Sequence, residues 1–326
     1  MENNLYLPWV EKYRPKDIDN IISHKHIIKT IKSMINNNNI PHLLLYGPAG
    51  TGKTSTALVI SKYIFSDASN SNILELNASD DRNISTVRNE IKSFASSNAI
   101  FSNGIKVIIL DEADAMTSQA QMALRRIIEI YSTNIRFIII CNNIDNILQA
   151  IQSRCSKFRF PPVDFNSFKI HIENIIEKEN INVDKNSIQS ISNISKGDLR
   201  KAINILQSIY LNINKNIIKS EDIYNIIGYP SEIDTKIMID ILFNKDRKYS
   251  VERFKNWKNK NGLSLSDIIY ELSLLLIEYD IPKKYKSSLL KNLADIEFFS
   301  SKGTNDIIHL SAIVGIFQDV VSKLSN

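Results

Sequence analysis

The segment from Gly47 to Thr54 constrains this chain more than any other, because its letters, GPAGTGKT, fit the pattern G-x-x-x-x-G-K-[ST]. Glycines let a backbone turn so that successive N–H groups point inward at phosphate oxygens, and a following helix adds its positive end. An apolar run at 42–46 precedes the segment, and a helical pattern follows it as far as Phe65. The sequence therefore predicts a strand, a phosphate-binding loop and a helix, the P-loop of nucleotide-binding folds.

Each side chain of this loop has an expected task. Lys53 should reach the β- and γ-phosphates of ATP, and the Thr54 hydroxyl should bind Mg²⁺. The loop residues expected to contact the nucleotide are Gly47, Pro48, Ala49, Gly50, Thr51, Gly52, Lys53, Thr54 and Ser55.

Two acidic residues, Asp111 and Glu112, directly follow a second apolar run at 107–110. Such a position lies at the carboxyl end of a parallel strand, where α/β sheets bind ligands. Asp111 should hold the Mg²⁺ shell, and Glu112 should orient and polarise the attacking water. Together the two motifs, Walker A and Walker B, predict a Mg-dependent ATPase. DEAD-box helicases share the letters DEAD, but they need a second nucleotide-binding fold, and only helical patterns follow residue 162.

The chain of 326 residues has two breaks, at Pro161-Pro162 and at Gly228-Tyr229-Pro230. Up to residue 162, strand-like and helix-like runs alternate, which implies a parallel sheet with flanking helices. Strands are expected at 42–46, 73–76, 106–110 and 136–141, and Ser118-x-x-Gln121 is a candidate capping box for a helix through Tyr131. Residues 163–228 and 229–326 have helical periodicity without strands.

Composition restricts the possible functions only mildly. The excess of 40 Lys and Arg over 35 Asp and Glu is compatible with nucleic-acid binding but does not demonstrate it. Two cysteines cannot form a disulfide framework, and with five scattered histidines they predict no structural zinc site. No membrane association is expected. An apolar stripe near the C-terminus is expected to be core rather than a partner-facing surface; it comprises Ile307, Ile308, Leu310, Ile313, Val314, Phe317, Val320, Val321 and Leu324.

Six segments together resemble the motifs of replication factor C, in that family's order, and the resemblance runs from about Pro8 to the C-terminus. The segments are WVEKYRP at 9–15, GPAGTGKTS at 47–55, ELNASDDR at 75–82, DEADAM at 111–116, QSRC at 152–155 and GDLRKAIN at 197–204. Ala49 stands where the family usually has Pro, and Asn83 where it usually has Gly. The resemblance implies an α/β AAA+ P-loop ATPase core at 1–162, a small helical lid at 163–228 and an all-α collar at 229–326.

The function implied by the resemblance is that of a clamp-loader subunit in a hetero-pentamer with other replication factor C subunits. Such a complex uses ATP to open the PCNA sliding clamp and load it onto primer–template DNA in the nucleus, for replication and repair. One alternative is a scaffold subunit of the same ring that binds nucleotide without hydrolysing it. Another is a different AAA+ DNA enzyme such as a branch-migration motor, which the Ser-Arg-Cys motif and the helical collar disfavour.

The resemblance also assigns roles to further residues. Val10, Tyr13 and Arg14 would border the adenine and ribose, Asn142 would be the sensor 1 residue, and Arg200 the sensor 2 residue. Arg154 would be an arginine finger acting in trans on a neighbour's ATP. Asn77 would restrain Glu112 until DNA arrives.

DNA contacts are expected from one helix. Arg82, Arg88 and Lys92 would touch phosphates, and the last two, four residues apart, share one helical face. Such contacts would be independent of sequence and sensitive to salt.

Overall fold

The computed structural model describes residues 7–37, 39–65, 72–78, 84–96, 105–212, 217–303 and 305–325. The chain forms two compact units, one drawn from residues 1–183 and 191–215 and the other from 184–190 and 216–326. The domain boundaries at 162 and 228 stay predictions.

The first unit is built on a five-stranded parallel sheet with the strand order β2-β3-β4-β1-β5. Its strands are β1 (His42–Tyr46), β2 (Ile73–Asn77), β3 (Lys106–Asp111), β4 (Ile135–Cys141) and β5 (Cys155–Arg159). β1, β3 and β4 are almost entirely buried, as expected of central parallel strands covered on both faces. The predicted α/β class and the four predicted strands are confirmed.

Sequence patterns did not predict β5, which lies at the edge of the sheet beside β1. Its residues are half-buried or exposed, and Lys157 and Arg159 interrupt the apolar pattern. An edge strand pairs through one side only, and charged side chains there protect it from pairing with other chains. The hydrophobic signal that predicted the central strands is therefore weak in β5.

Helices cover both faces of this sheet, because alternate strand residues point to opposite sides. Leu44, Ile108 and Ile139 join one core cluster, and Leu43, Ile109 and Ile138 join another. The helices that begin in residues 1–215 are α1 (Trp9–Lys12), α2 (Lys25–Asn36), α3 (Lys53–Phe65), α4 (Ile84–Ser96), α5 (Ser118–Tyr131), α6 (Gln149–Gln152), α7 (Phe165–Lys178), α8 (Lys185–Ser195) and α9 (Leu199–Asn212). The division between the two units falls inside α8.

The start of α5 differs from the predicted capping box by one residue. Thr117, not Ser118, is the N-cap, and its side chain accepts a hydrogen bond from Ala120 N. Gln121 is buried and bonds instead to the backbone at Met116, Asn146 and Leu148. Threonine is itself a favoured N-cap, so local sequence alone did not decide between the two hydroxyls.

The second unit is helical, with α10 (Ser220–Ile227), α11 (Glu232–Asn244), α12 (Arg247–Asn261), α13 (Leu265–Glu278), α14 (Lys283–Ser300) and α15 (Asp306–Ser325). Its core draws on α11 to α15, with Leu242, Phe254, Leu272, Leu293 and Phe317 at its centre.

The C-terminal apolar stripe lies on α15 and divides between core and surface. Leu310, Ile313, Val314, Phe317 and Val320 are buried, whereas Ile307, Ile308 and Leu324 are exposed. The core interpretation therefore holds for five residues of the stripe. By length and composition alone, residues 306–324 are long and apolar enough to cross a membrane, with a mean hydropathy of 1.5. One such helix is weak evidence for a span, because a core helix passes the same test.

Candidate functional site

Four predicted site segments meet at the carboxyl edge of the sheet. In the order β2, β3, β4, β1, the strands end at Asn77, Asp111, Cys141 and Tyr46, and the P-loop directly follows Tyr46. A cleft opens at this edge, lined among others by Ala49, Gly50, Gly52, Lys53, Thr54, Ser55, Asp111, Glu112 and Asn142. Gly47, Pro48 and Thr51 belong to the loop but are not among the lining residues.

Lys53 begins α3 at the end of the P-loop and is buried. Its Nζ donates to the carbonyl oxygens of Gly47 and Pro48, each at 2.8 Å, and to Asn142 Oδ1 at 3.0 Å. Burial lowers the pKa of Lys53, and the nearby Asp111 carboxylate opposes that shift. The lysine thus joins the P-loop to the end of β4.

Gly47 is required by a close approach of two backbones. Phe160 N donates to Tyr46 O at 2.7 Å, and a Cβ on Gly47 would lie 2.0 Å from Phe160 O. No other residue type fits there without moving the end of β5 away from the loop.

Thr54 and Asp111 form the candidate metal pair. Thr54 Oγ1 donates to Asp111 Oδ2 at 2.7 Å, and Asp111 Oδ1 accepts from Glu112 N at 2.8 Å. Adjacent ligands of an octahedral Mg²⁺, with bonds of about 2.1 Å, lie roughly 3 Å apart, so the two oxygens suit this ion. Among the described residues, no three His, Cys, Asp or Glu side chains cluster as a metal site. Such a sparse set fits Mg²⁺, which takes one or two protein ligands with phosphates and water.

Asp114 fixes the end of β4, a role that sequence analysis did not assign. Its Oδ2 accepts from the backbone N–H groups of both Asn142 and Asn143, at 3.0 Å each. These bonds orient Asn142, whose side chain contacts Lys53. The signal was present in the sequence, since Asp114 belongs to the same acidic turn as Asp111.

Glu112 lies at the cleft with a left-handed backbone, at a φ of 53°. Asn77 is one strand away, since it pairs with Asp111 in the ladder between β2 and β3. That position is compatible with the predicted restraint of Glu112 by Asn77, which stays a prediction.

The N-terminal segment borders the cleft with Val10, Tyr13 and Arg14. Their predicted contact with the adenine and ribose stays a prediction. Arg14 Nε donates to Ser55 Oγ at 3.3 Å, which ties the segment to the helix that follows the P-loop. The Tyr13 hydroxyl and Lys12 Nζ both donate to Glu179 at the end of α7. Burial and this bond raise the pKa of Tyr13, which keeps the hydroxyl protonated.

Arg200 enters the cleft from the first turn of α9. Leu199 N donates to Gly50 O at 3.1 Å, and Asp198 caps the helix by accepting from Lys201 N at 2.9 Å. Asp198 packs so closely on the loop that a Cβ on Gly50 would lie 1.7 Å from its Oδ1. The P-loop therefore positions Arg200 through α9.

Other predicted residues lie away from the cleft. Arg154 precedes β5 at the opposite, amino edge of the sheet. Arg88 falls in α4 but its side chain lies outside the described residues, as do the whole of Arg82 and Asn83, whereas Lys92 on α4 is exposed.

Sequence analysis missed several lining residues from α7 and α9, among them Ser167, His171, Leu199 and Ile203. Burial lowers the pKa of His171. Leu199 and Ile203 share a helical face with Arg200, and this spacing was the only signal that could have identified them.

Three family models match successive parts of the chain. They are the ATPase family associated with various cellular activities over residues 43–163, the RCF1/5-like AAA+ ATPase lid domain over 171–211, and the replication factor C C-terminal domain over 230–315.

Relatives that align over nearly the whole chain agree with these family models. The chain is 46% identical to probable replication factor C subunit 5 of Dictyostelium discoideum, over 96% of this chain and 90% of that protein. It is 44% identical to replication factor C subunit 5 of Homo sapiens, over 96% and 92% of the two chains. It is 40% identical to replication factor C subunit 3 of Saccharomyces cerevisiae, over 96% of this chain and 93% of that protein. Among solved structures, the RuvB Holliday junction branch migration motor of Thermotoga maritima has a TM-score of 0.55 at 16% identity, over 83% of this chain and 99% of that one. That likeness shows the fold alone.

The parallel sheet, the P-loop cleft and the family match define an AAA+ ATPase with a helical lid and a C-terminal helical domain. Within that class, the chain belongs to the replication factor C family, and subunits 5 and 3 of that family are among its relatives.

Proposed function

We propose that the chain is an ATP-hydrolysing subunit of a hetero-pentameric clamp loader that loads PCNA onto primer–template DNA in the nucleus. One observation carries this proposal above the others. Lys53, Thr54, Asp111 and Asn142 form a connected set at the carboxyl edge of the sheet, with Glu112 beside them in the same cleft.

The proposed chemistry follows from these positions. Lys53 would neutralise the β- and γ-phosphates. Thr54 and Asp111 would hold Mg²⁺, which when bound supplies positive charge to the phosphate oxygens. Glu112 would orient the attacking water and accept its proton, and Asn142, fixed by Asp114, would bond to the γ-phosphate or to that water.

The chain's own site would be completed by two arginines. Arg200 would contact the γ-phosphate from α9, which docks on Gly50. The second arginine must come from elsewhere, because Arg154 lies at the far edge of its own sheet. This placement supports the hypothesis that Arg154 serves a neighbour's site and that a neighbour's arginine completes this one.

The competing hypothesis is a scaffold subunit that binds nucleotide without hydrolysing it. A silent site commonly lacks one of the groups that hold phosphate, metal or water. All of Lys53, Thr54, Asp111, Glu112 and Arg200 are present and line one cleft, which favours hydrolysis.

DNA would be contacted through α4. Lys92 is exposed there, as a phosphate contact requires, whereas the neighbouring Ile91 is buried and holds α4 in the core. Binding through such contacts would weaken steeply with salt.

The test is a DNA-dependent ATPase assay on the chain co-expressed with replication factor C partner subunits, with PCNA and primer–template DNA present. The isolated chain should hydrolyse ATP slowly, since an arginine finger commonly contributes on the order of 10³-fold. In the complex, Glu112→Gln should abolish turnover at this chain's site, and Arg154→Ala should abolish it at the neighbour's.

A matched control is Glu75→Gln, which alters an exposed glutamate on β2. If a proven monomer turned over ATP as fast as the complex, the proposed sharing of arginines would be wrong. If Glu112→Gln left both turnover and clamp loading intact in the complex, the scaffold hypothesis would replace the proposed hydrolysis.

A further inference from the structure

Arg154 is held by a small charged cluster at the amino edge of the sheet. Its Nη2 donates to Glu129 Oε1 in the last turn of α5, and its Nη1 donates to Ala150 O at 2.6 Å. Arg125 Nε donates to the same glutamate oxygen at 3.1 Å. Glu129 therefore bridges two guanidinium groups from different elements.

We propose that Glu129 is a positioning residue that aims Arg154 at the phosphates of a neighbouring subunit. The inference rests on the proposed role of Arg154 in trans. An unrestrained arginine loses rotamer entropy when it is fixed. The contacts with Glu129 and Ala150 restrict Arg154 before any phosphate approaches.

The geometry leaves the guanidinium available for a ligand. A guanidinium has five N–H donors. Glu129 and the Ala150 carbonyl each take one N–H of Arg154, on different terminal nitrogens, so the remaining donors include Nε–H. Arg154 is also 34% exposed, which leaves it accessible from outside the chain.

Arg125 explains how a carboxylate can hold the finger without cancelling its charge. Glu129 and Arg154 alone would be neutral, but Arg125 leaves the three side chains with one net positive charge. Hydrogen bonds and charge from Arg125, together with Arg154, also lower the pKa of Glu129, which keeps it ionised.

A stabilising ion pair is the simpler interpretation of the cluster, but exposure argues against it. Arg154, Glu129 and Arg125 are 34%, 38% and 48% exposed, and surface pairs of this kind contribute little to folding. Substitutions at Glu129 should therefore leave the fold intact, which makes a kinetic test possible.

The test measures the part of ATP turnover that Arg154→Ala removes from the assembled, DNA-stimulated complex. Glu129→Ala should remove most of that part, and Glu129→Gln, which keeps length and one acceptor, should remove less. Both should lower kcat and leave the KM for ATP unchanged, because Glu129 acts through Arg154 rather than on the bound nucleotide. Glu173→Gln is the matched control, since Glu173 is an exposed glutamate that pairs with Lys169 four residues away on α7.

A double variant separates the effect of positioning Arg154 from the effect of the net charge of the cluster. Arg125→Ala should also lower kcat, because the remaining pair of Glu129 and Arg154 then carries no net charge. Glu129→Gln with Arg125→Ala leaves Arg154 with its full charge but without its ionic anchor. We expect turnover of the double variant to stay low, and a return to wild-type turnover would show that only charge matters.

Other outcomes also decide the matter. If Arg154→Ala lowers turnover while Glu129→Ala leaves it unchanged, the positioning role is wrong and the proposed function stands. If Arg154→Ala itself has no effect, the proposed role of Arg154 in trans is wrong. The positioning role of Glu129 then fails with it, because Glu129 has no functional arginine to position. If neither Glu129 variant assembles with its partners by size-exclusion chromatography, Glu129 holds the subunit contact and the positioning role is also overturned.

Discussion

Glu112 keeps a backbone conformation that its residue type disfavours. Its φ of 53° is left-handed, and it begins the short 3₁₀ turn at Ala113–Ala115, where Ala115 N bonds to Glu112 O at 2.9 Å. A left-handed conformation costs a non-glycine residue on the order of 1 kcal/mol, least for Asn and Asp. Strain of this kind is characteristic of functional sites. The position of Glu112 in the cleft is therefore maintained at the expense of local backbone stability.

The first prediction follows from this strain. Glu112→Asn should raise the free energy of unfolding by up to about 1 kcal/mol, since Asn tolerates the left-handed region, and should lower ATP turnover at this chain's own site in the complex by roughly 10²-fold or more. Urea denaturation and the ATPase assay measure the two effects. Glu112→Gln is the control, because it should lose turnover without gaining stability. Equal stability of the two variants would contradict the prediction.

His42 supports a second prediction, on pH. Its Nδ1 accepts a hydrogen bond from Phe137 N at 3.2 Å, and burial, with the Arg136 charge, lowers its pKa to about 4. An unfolded histidine titrates near 6.5. Between these two values the unfolded state binds a proton that the folded state does not, so stability should fall as pH drops from about 6.5 toward 4.

The measurement is urea unfolding of wild type and His42→Asn across that range. The Asn side chain offers an acceptor near Nδ1 but does not titrate, so the variant should lose less stability on acidification than wild type. His24 and His171 also have pKa values lowered by burial, and they remain in both proteins. Identical pH dependence would exclude His42 as a contributor.

At the scale of elements, α1 is joined to α7 and α9 as well as to the nucleotide cleft. Trp9 N donates to Gln207 Oε1 at 3.1 Å, and the Trp9 ring packs 5.1 Å from that of Tyr210. Lys12 and Tyr13 both bond to Glu179, whose side chain is only 14% exposed. Any movement of α7 or α9 would therefore shift the side chains of the N-terminal segment that line the cleft.

A third prediction tests this connection. Glu179→Gln should weaken nucleotide binding about three- to tenfold with little change in kcat, because a partly buried charge-assisted bond contributes on the order of 1 kcal/mol. Titration of the isolated chain with a fluorescent ATP analogue measures the affinity. Glu177→Gln is the control, since Glu177 is exposed on the same helix. Equal affinities of the two variants would refute the connection.

At the scale of the whole molecule, each compact unit has its own core. The helical unit buries residues from Met238 to Val320 in one cluster, and of its helices α10 to α15 all but α10 exceed twelve residues. A core of that kind is what an independently stable domain requires.

A fourth prediction concerns a fragment. Residues 229–326 should fold alone and unfold cooperatively, and Leu272→Ala within it should lower stability by about 2–5 kcal/mol. Trp257 is buried and is the one tryptophan in that fragment, so its fluorescence reports the transition. A gradual, non-cooperative change in fluorescence and circular dichroism would contradict independent folding.

Sequence predicted the features that have a local signal. The P-loop and the central strands are contiguous runs of characteristic residues, and Asp111 is recognised because it directly follows one of those strands. By contrast, Glu129, Glu179 and Asp198 act through partners 25, 166 and 148 residues away. The edge strand β5 was missed because its alternation is broken by charged residues. Contacts between distant segments depend on the sheet order, which no local pattern specifies.

The two edges of the sheet have a consequence for symmetry. β5 begins opposite His42, directly after Arg154, whereas the P-loop follows the other end of β1, so the two are separated by a strand of roughly 17 Å. If Arg154 at the amino edge of one sheet contacts the P-loop at the carboxyl edge of a neighbour's sheet, two different surfaces meet. Such a contact is heterologous, and a two-fold dimer cannot satisfy it. Subunits joined in this way must add in one direction, and they end either in a closed ring or in a spiral with one unpaired site at each end.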